Sequence, residues 1–367
     1  MAASDQRQTL LEVKHLSVDY EAASGTVHAV DDVSFTLRRG EILGLAGESG
    51  SGKSTLAYAI ARLLNPPAVI TGGEVVYYPP GRGDEQGMPR VDVLGLSPAH
   101  LRAFRWNDLA IVFQSAMNAL NPVMNIGAQI MDVLQAHRPG ISAKECRQRA
   151  LELLQLVGIA PDRLRSYPHE LSGGMRQRAV IAIALALSPE IIIMDEPTTA
   201  LDVVVQREIL AEITRLRESL HFSVIFITHD LSLLLELADQ VAIMYAGRIV
   251  EQATQRELYD HPRHPYSFGL IHSFPSLHGP RRKALGIPGT PPDLRAVPSG
   301  CAFHPRCPLA FRACTIHLPE LRPVSADSAQ AQLAACHLYD PRYSAEPPTT
   351  AAIAAGYAAR LEGSAVR

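Results

Sequence analysis

Three groups of residues have types and spacings that could do chemistry. The first, Gly47-Glu48-Ser49-Gly50-Ser51-Gly52-Lys53-Ser54, fits the pattern G-x-x-x-x-G-K-S/T. Glycines in such a loop let backbone N–H groups turn inward around phosphates, at the positive end of a helix dipole. Lys53 would bring a point charge to the β- and γ-phosphates, and the Ser54 hydroxyl a ligand for Mg²⁺. The second group is Asp195-Glu196, adjacent carboxylates that close the apolar run Ile191-Ile192-Ile193-Met194. Beside a phosphate loop, Asp195 would reach the Mg²⁺ shell and Glu196 would polarise an attacking water. The third group is Cys301, Cys307, Cys314 and Cys336, four of the five cysteines. Their spacing departs from the C-x₂₋₄-C of most structural zinc sites, and four thiolates also suit a 4Fe–4S cluster. Zinc, a cluster and free reduced thiols all remain open, with His304 and His337 as reserve ligands.

The surrounding pattern supplies elements that would position these groups. Residues 9–40 alternate apolar and polar positions (Leu11, Val13, Leu16, Val18; Val27, Val33, Phe35, Leu37), as antiparallel strands joined at a Gly25 turn would. Ile42–Ala46 reads as a buried strand before the phosphate loop, and Lys53–Leu64 as the helix after it. Residues 79–90 are turn-rich and expected to be an exposed loop. Residues 126–157 carry helical spacing (Ile130, Val133, Leu134; Ala150, Leu151, Leu154, Val157) broken at Pro139-Gly140. Helices at about 174–187 and 203–220 then alternate with strands at Ile191–Met194, Ser223–Thr228, Gln240–Tyr245 and Arg248–Glu251. That alternation predicts an α/β fold with a mostly parallel, helix-covered sheet. Six prolines between Pro275 and Pro298 suggest an extended linker before the cysteines. The tail from Ser344, Ala-rich with Pro347-Pro348, shows no periodicity that demands a core partner and is expected to be disordered.

Composition narrows the function classes. With 47% hydrophobic and 19% charged residues in 367, the chain is neither a disulfide miniprotein nor bulk disorder. A formal charge of −3 provides no global basic field for holding nucleic acid. No apolar stretch reaches the ~20 residues needed to span a bilayer. The opening Met1-Ala2-Ala3-Ser4-Asp5-Gln6-Arg7-Gln8 lacks the features of an export signal, so a cytoplasmic location is expected.

Leu171-Ser172-Gly173-Gly174-Met175-Arg176-Gln177-Arg178 resembles the signature of the ATP-binding-cassette (ABC) family, and further elements follow in that family's order. Tyr20 resembles the aromatic that stacks on adenine, Gln114 the Q-loop glutamine, Ala200-Leu201-Asp202 the D-loop, and His229 in Ile227-Thr228-His229-Asp230 the switch histidine. The resemblance covers about residues 9–255. It implies an ABC nucleotide-binding domain over 9–260, a P-loop core with an antiparallel β-subdomain and a helical subdomain at about 115–171. A short flexible N-terminus (1–8) precedes it, and a small Cys-rich extension (261–343) and the tail (344–367) follow. The implied cofactors are ATP and Mg²⁺. ATP contacts are implied at Tyr20, Gly47, Ser49, Gly50, Gly52, Lys53, Ser54, Thr55, Gln114, Ser172, Gly173, Gly174 and Asp202. Mg²⁺ contacts are implied at Ser54, Gln114 and Asp195, and catalytic roles at Glu196, His229 and Lys53. In the family the signature closes over the γ-phosphate of a partner cassette, so one chain makes only half of each site.

Two further stretches resemble the oligopeptide and dipeptide importer ATPases of the Opp/Dpp type. These are Gln114-Ser115-Ala116-Met117-Asn118-Ala119-Leu120-Asn121-Pro122, and Ile287-Pro288-Gly289-Thr290-Pro291-Pro292 with Gly300-Cys301-Ala302-Phe303-His304-Pro305-Arg306-Cys307-Pro308. The resemblance implies a motor subunit held at the cytoplasmic face of the membrane. Its partners would be a second cassette, homologous or identical, two membrane permease subunits and an extracytoplasmic solute-binding protein. The related C-terminal extensions resemble cluster-binding modules, which favours a 4Fe–4S cluster at Cys301, Cys307, Cys314 and Cys336, with zinc as the alternative. Importers of nickel or other small solutes are a second reading. A soluble cassette acting on nucleic acid or ribosomes fits less well, because the chain has neither a basic field nor a heptad run. Met117, Leu120 and Met124 are either apolar anchors for a membrane subunit or interior packing.

Overall fold

The computed structural model describes residues 8–22, 25–80, 90–114, 119–199, 201–273, 286–324, 332–344 and 346–364. Strands β1 (Thr9–Ala22) and β2 (Gly25–Arg38) form an antiparallel pair. With β4 (Ala68–Tyr77) and β5 (Val91–Asp92) they build a four-stranded sheet in the order β2-β1-β4-β5. The alternating positions Leu11, Val13, Leu16 and Val18 are all buried, although Val13 and Leu16 are three apart. A register irregularity between them, with His15 at φ 49°, absorbs the extra residue and keeps both side chains on the core face.

The second sheet is built on β3 (Ile42–Ala46), whose residues are all buried, as a strand covered on both faces must be. It pairs in parallel with β8 (Ser223–Ile227) and β9 (Gln240–Tyr245). β8 continues in parallel to β7 (Ile191–Asp195), and β7 to β6 (Leu109–Val112). β10 (Arg248–Thr254) runs antiparallel to β9. The helix after the phosphate loop, α1 (Lys53–Ile60), is shorter than the expected 53–64, because Arg62 takes a left-handed conformation (φ 52°) that stops it. The kinked helix α2 (Pro98–Asn107) lies between β5 and β6.

The helical layer contains α3 (Ile126–His137), α4 (Ala143–Leu156) and α5 (Gly173–Ala184), each started by a capping side chain: Asn125, Ser142 and Ser172. Then come α6 (Val203–Leu220), α7 (Leu231–Leu237), α8 (Gln255–Asp260), α9 (Pro265–His272) and α10 (Arg312–Ile316). The expected loop at 79–90 lies, except for its ends, outside the described residues.

The cysteine-bearing segment is built onto the cassette. Strand β12 (Leu333–Ala334) pairs with β10, and β11 (Arg322–Pro323) pairs with β12, so the segment extends the large sheet. Phe303 and Cys307 belong to the same apolar core as β3, β7 and β8. The tail differs from expectation. Thr350–Ser364 form helix α11, with Ile353 and Tyr357 fully buried against Phe268 of α9. An alanine-rich stretch favours helix by propensity, and two large side chains four apart share one face. Two anchors are too few to register as periodicity. Tyr357 also donates a hydrogen bond to the Pro265 carbonyl at 2.9 Å. Tyr357→Ala is expected to cost about 3–5 kcal/mol of local packing and to expose α11 to limited proteolysis; an unchanged digestion rate would show that the helix docks without it.

Candidate functional site

The phosphate loop leaves β3 and enters α1 under tight steric control. A Cβ at Gly47 (φ 150°) would meet the Met244 carbonyl oxygen at 2.2 Å, and one at Gly52 (φ 98°) the Ala29 carbonyl oxygen at 2.1 Å. Lys53 is 6% exposed and its Nζ donates to Gly47 O (2.8 Å), Glu48 O (2.9 Å) and Ser51 Oγ (3.1 Å). Burial pulls its pKa down, against the charges of Glu196, Asp195 and Glu48. The ammonium is therefore parked inside the loop that it would share with phosphate.

At the end of β7, Asp195 is fully buried and accepts a hydrogen bond from Ser54 Oγ at 3.0 Å. Burial raises its pKa, the Ser54 and Tyr58 hydroxyls oppose the rise, and the Glu196 charge adds to it. Its Oδ2 is buried without a hydrogen-bond partner. A hydroxyl and a carboxylate with a free oxygen form a hard, all-oxygen donor pair, which fits Mg²⁺ completed by water and phosphate. Among the described residues no group of three His, Cys, Asp or Glu side chains could hold a metal, and such a Mg²⁺ site does not need one.

Glu196 follows in a left-handed conformation (φ 48°), which is uncommon outside glycine, and its carboxylate meets three other side chains. Its Oε2 accepts from Gln114 Nε2 (3.2 Å) and Thr199 Oγ1 (3.0 Å), and its Oε1 lies 3.2 Å from His229 Nδ1. Burial would raise the pKa, but the His229 and Thr199 hydrogen bonds, with the charges of His229 and Lys53, outweigh it and hold the carboxyl below its usual value. A group with a depressed pKa stays anionic to lower pH. Thr199→Val removes one of the bonds responsible, so the acid limb of hydrolysis is expected to move to higher pH; an acid limb that stays in place would exclude Glu196 as the titrating base.

Tyr20, near the end of β1, places its hydroxyl 3.3 Å from Thr55 Oγ1. Lys53, Ser54, Asp195, Glu196, Gln114 and His229 thus form one continuous constellation. The signature and D-loop side chains are engaged elsewhere. Ser172 is exposed, and its Oγ caps α5 by accepting from Met175 N at 3.3 Å. Asp202 caps α6 by accepting from Val204 N (3.1 Å) and Val205 N (3.0 Å). Among the described residues, no hydrogen bond or ion pair joins either one to the Glu196 cluster. Ala200, Ser115, Ala116 and Met117 lie outside the described residues. Leu120 is 5% exposed and belongs to the core, so it is interior packing.

The four C-terminal cysteines are free thiols that converge. Cys301 N donates to Cys314 O at 2.8 Å, and burial, with the neighbouring Cys307, Cys301 and Cys314 adding to it, pushes the Cys336 thiol well above its usual range. Burial pushes Cys301 up to about 11 and Cys307 up to about 12, their thiol neighbours adding to the rise. Yet no three of them are arranged as a ligand set, so the expected 4Fe–4S or zinc site has no support in this geometry. Both reserve histidines are bonded to backbone carbonyls, His304 to Cys301 (2.9 Å) and His337 to His317 (2.8 Å). Sequence reasoning missed Thr199 and Tyr58. Thr199 carried a signal, a hydroxyl three residues after Glu196. Tyr58 carried none.

A phosphate loop after a buried parallel strand, with a magnesium-ready carboxylate at the end of a strand in the same sheet, defines a P-loop nucleoside triphosphatase. The family model described as ABC transporter matches residues 30–199, and the one described as oligopeptide/dipeptide transporter, C-terminal region, matches residues 250–314. The oligopeptide transport ATP-binding protein OppD of Bacillus subtilis is 45% identical, over 83% of this chain and 82% of that protein. OppD of Salmonella typhimurium is 42% identical, over 85% and 90%. The dipeptide transport ATP-binding protein DppD of Lactococcus lactis is 44% identical, over 82% and 83%. The ATP-binding cassette MJ0796, solved as a dimer in a post-hydrolysis state with ADP and Pi, is 28% identical, with a TM-score of 0.57 over 67% of this chain and 99% of that one. The chain belongs to the ABC transporter family and carries its ATPase cassette. Among the described residues no helix is long and apolar enough to cross a membrane.

Proposed function

We propose that this chain is the ATP-hydrolysing subunit of an ABC importer of di- or oligopeptides. The observation that carries the reading is the match of its C-terminal region to the oligopeptide/dipeptide transporter model, together with relatives named for peptide transport. In this reading Lys53 and the loop amides hold the β- and γ-phosphates, and Tyr20 stacks on adenine. Mg²⁺ would be held at Ser54 and Asp195, with Gln114 as a further ligand, and would supply charge stabilisation at the phosphates. Glu196, kept anionic, draws the proton from the attacking water, and His229 contacts the γ-phosphate. Ser172, Gly173, Gly174 and Asp202 would serve the site of a second cassette, and among the described residues Ser172 and Asp202 make no hydrogen bond to this cluster within one chain. This reading therefore calls for a dimer.

The remaining partners are two permease subunits and an extracytoplasmic binding protein, with the chain peripheral at the cytoplasmic face. The test is ATP hydrolysis by the reconstituted complex in proteoliposomes. Stimulation by a peptide-loaded binding protein supports the reading, and stimulation by a nickel salt alone replaces it with the metal-importer reading. A 4Fe–4S cluster on Cys301, Cys307, Cys314 and Cys336 would act as a structural staple outside the ATP chemistry. Anaerobically purified protein should then hold about four irons and four sulfides per chain; about one zinc would favour the alternative, and no metal would leave reduced thiols.

A further inference from the structure

Glu48 occupies a position at which the phosphate-loop pattern accepts any residue, yet it is fixed at three points. Its backbone N–H donates to the Tyr266 hydroxyl at 2.9 Å, and its carbonyl accepts from Lys53 Nζ at 2.9 Å. Its carboxylate takes a two-pronged bond from Arg306, whose Nη1 donates to Oε2 (2.6 Å) and Nη2 to Oε1 (3.0 Å). Arg306 comes from the cysteine-bearing segment and is 5% exposed. Its Nε also donates to Pro288 O at 2.8 Å, and its guanidinium lies 5.8 Å from the centre of the Tyr245 ring and 5.9 Å from that of Phe303. Arg360 of α11 braces the same turn by donating to Cys307 O and Pro305 O, each at 2.7 Å. An unbroken chain of contacts therefore runs from α11 through Arg306 and Glu48 to the Lys53 ammonium. The planar fork makes that chain directional, since a bidentate guanidinium fixes both the position and the plane of its carboxylate.

We propose that Arg306 is a positioning residue for the phosphate loop, through which the C-terminal segment sets the affinity for ATP. The inference rests on the cassette's ATPase reading and adds a part that lies outside the cassette. Charge alone and positioning predict opposite results. If Arg306 only neutralised Glu48, Glu48→Gln would remove a negative charge near the phosphates and tighten ATP binding, while Arg306→Gln would weaken it. If the pair positions the loop, both changes weaken binding.

The test is equilibrium binding of ATP to the full chain. Each single variant is expected to bind about tenfold more weakly, equivalent to about 1.4 kcal/mol, and the double variant no more weakly than the weaker single, because one shared interaction is lost only once. Arg306→Lys, which keeps the charge and loses the fork, should still bind more weakly than wild type. Should Arg306→Gln fail to fold, Glu48→Gln, on the accessible side of the pair, decides the matter. Unchanged or tighter binding by Glu48→Gln overturns the proposal while leaving the cassette reading intact. Failure of the wild-type chain to bind ATP overturns both.

Discussion

Replacing Glu196 by Gln is expected to slow steady-state ATP hydrolysis by about 10²–10⁴-fold, the usual contribution of a positioned general base. The substitution keeps the shape of the side chain and removes its ability to take a proton. A Gln here still presents a carbonyl oxygen that can accept from Thr199 Oγ1, the bond seen at 3.0 Å. The loop donors and Ser54, which would hold nucleotide, are untouched. ATP affinity should therefore stay within about threefold of wild type, a difference below ~1 kcal/mol, while turnover falls. The Lys53 charge, which helps depress the Glu196 pKa, would lose one of its anionic neighbours. An unchanged turnover would move the base elsewhere. Loss of ATP binding along with turnover would mean that Glu196 shapes the site and does not act on water.

The candidate site was more legible than the fold around it, because phosphate and Mg²⁺ chemistry restricts residue types at fixed spacings whereas packing does not. Gly47 to Ser54 and Asp195-Glu196 announce themselves in sequence, and the structure brings Ser54 to Asp195 and Gln114 and His229 to Glu196. Strands β3, β7 and β8 were readable as continuous apolar runs because both of their faces are covered. The C-terminal part was not. Its strands β11 and β12 are two residues each, too short for any period to show, and are held by pairing, β12 with β10 and β11 with β12. Helix α11 rests on two buried anchors, and Arg306 finds Glu48 across 258 positions, a contact no local pattern encodes. The cysteines illustrate the reverse failure. Their clustering in sequence corresponds to convergence in space, but convergence alone does not orient four sulfurs toward one centre.

Gly52→Ala should strongly weaken nucleotide binding through backbone geometry alone. Residue 52 sits at φ 98°, and its added Cβ would lie 2.1 Å from the Ala29 carbonyl oxygen. That oxygen is main chain in β2, so no rotamer change relieves the contact and the loop must move away from the strand. Lys53, the next residue, starts α1, so any displacement passes directly to Lys53 and Ser54. A shift approaching 1 Å at a positioning group costs on the order of 10²-fold, and ATP affinity should fall by at least that much. Gly50→Ala supplies the contrast. Residue 50 also has positive φ, at 79°, but nothing lies within 4 Å of the place its added Cβ would take, so only the left-handed backbone cost of ~1–2 kcal/mol applies. Thermal unfolding of the nucleotide-free chains separates the two, with Gly52→Ala expected to lose more stability than Gly50→Ala. Equal losses would mean that positive φ, and not the close approach to β2, sets the demand for glycine. In that case the loop would owe its shape to its own backbone and not to the antiparallel sheet packed beneath it.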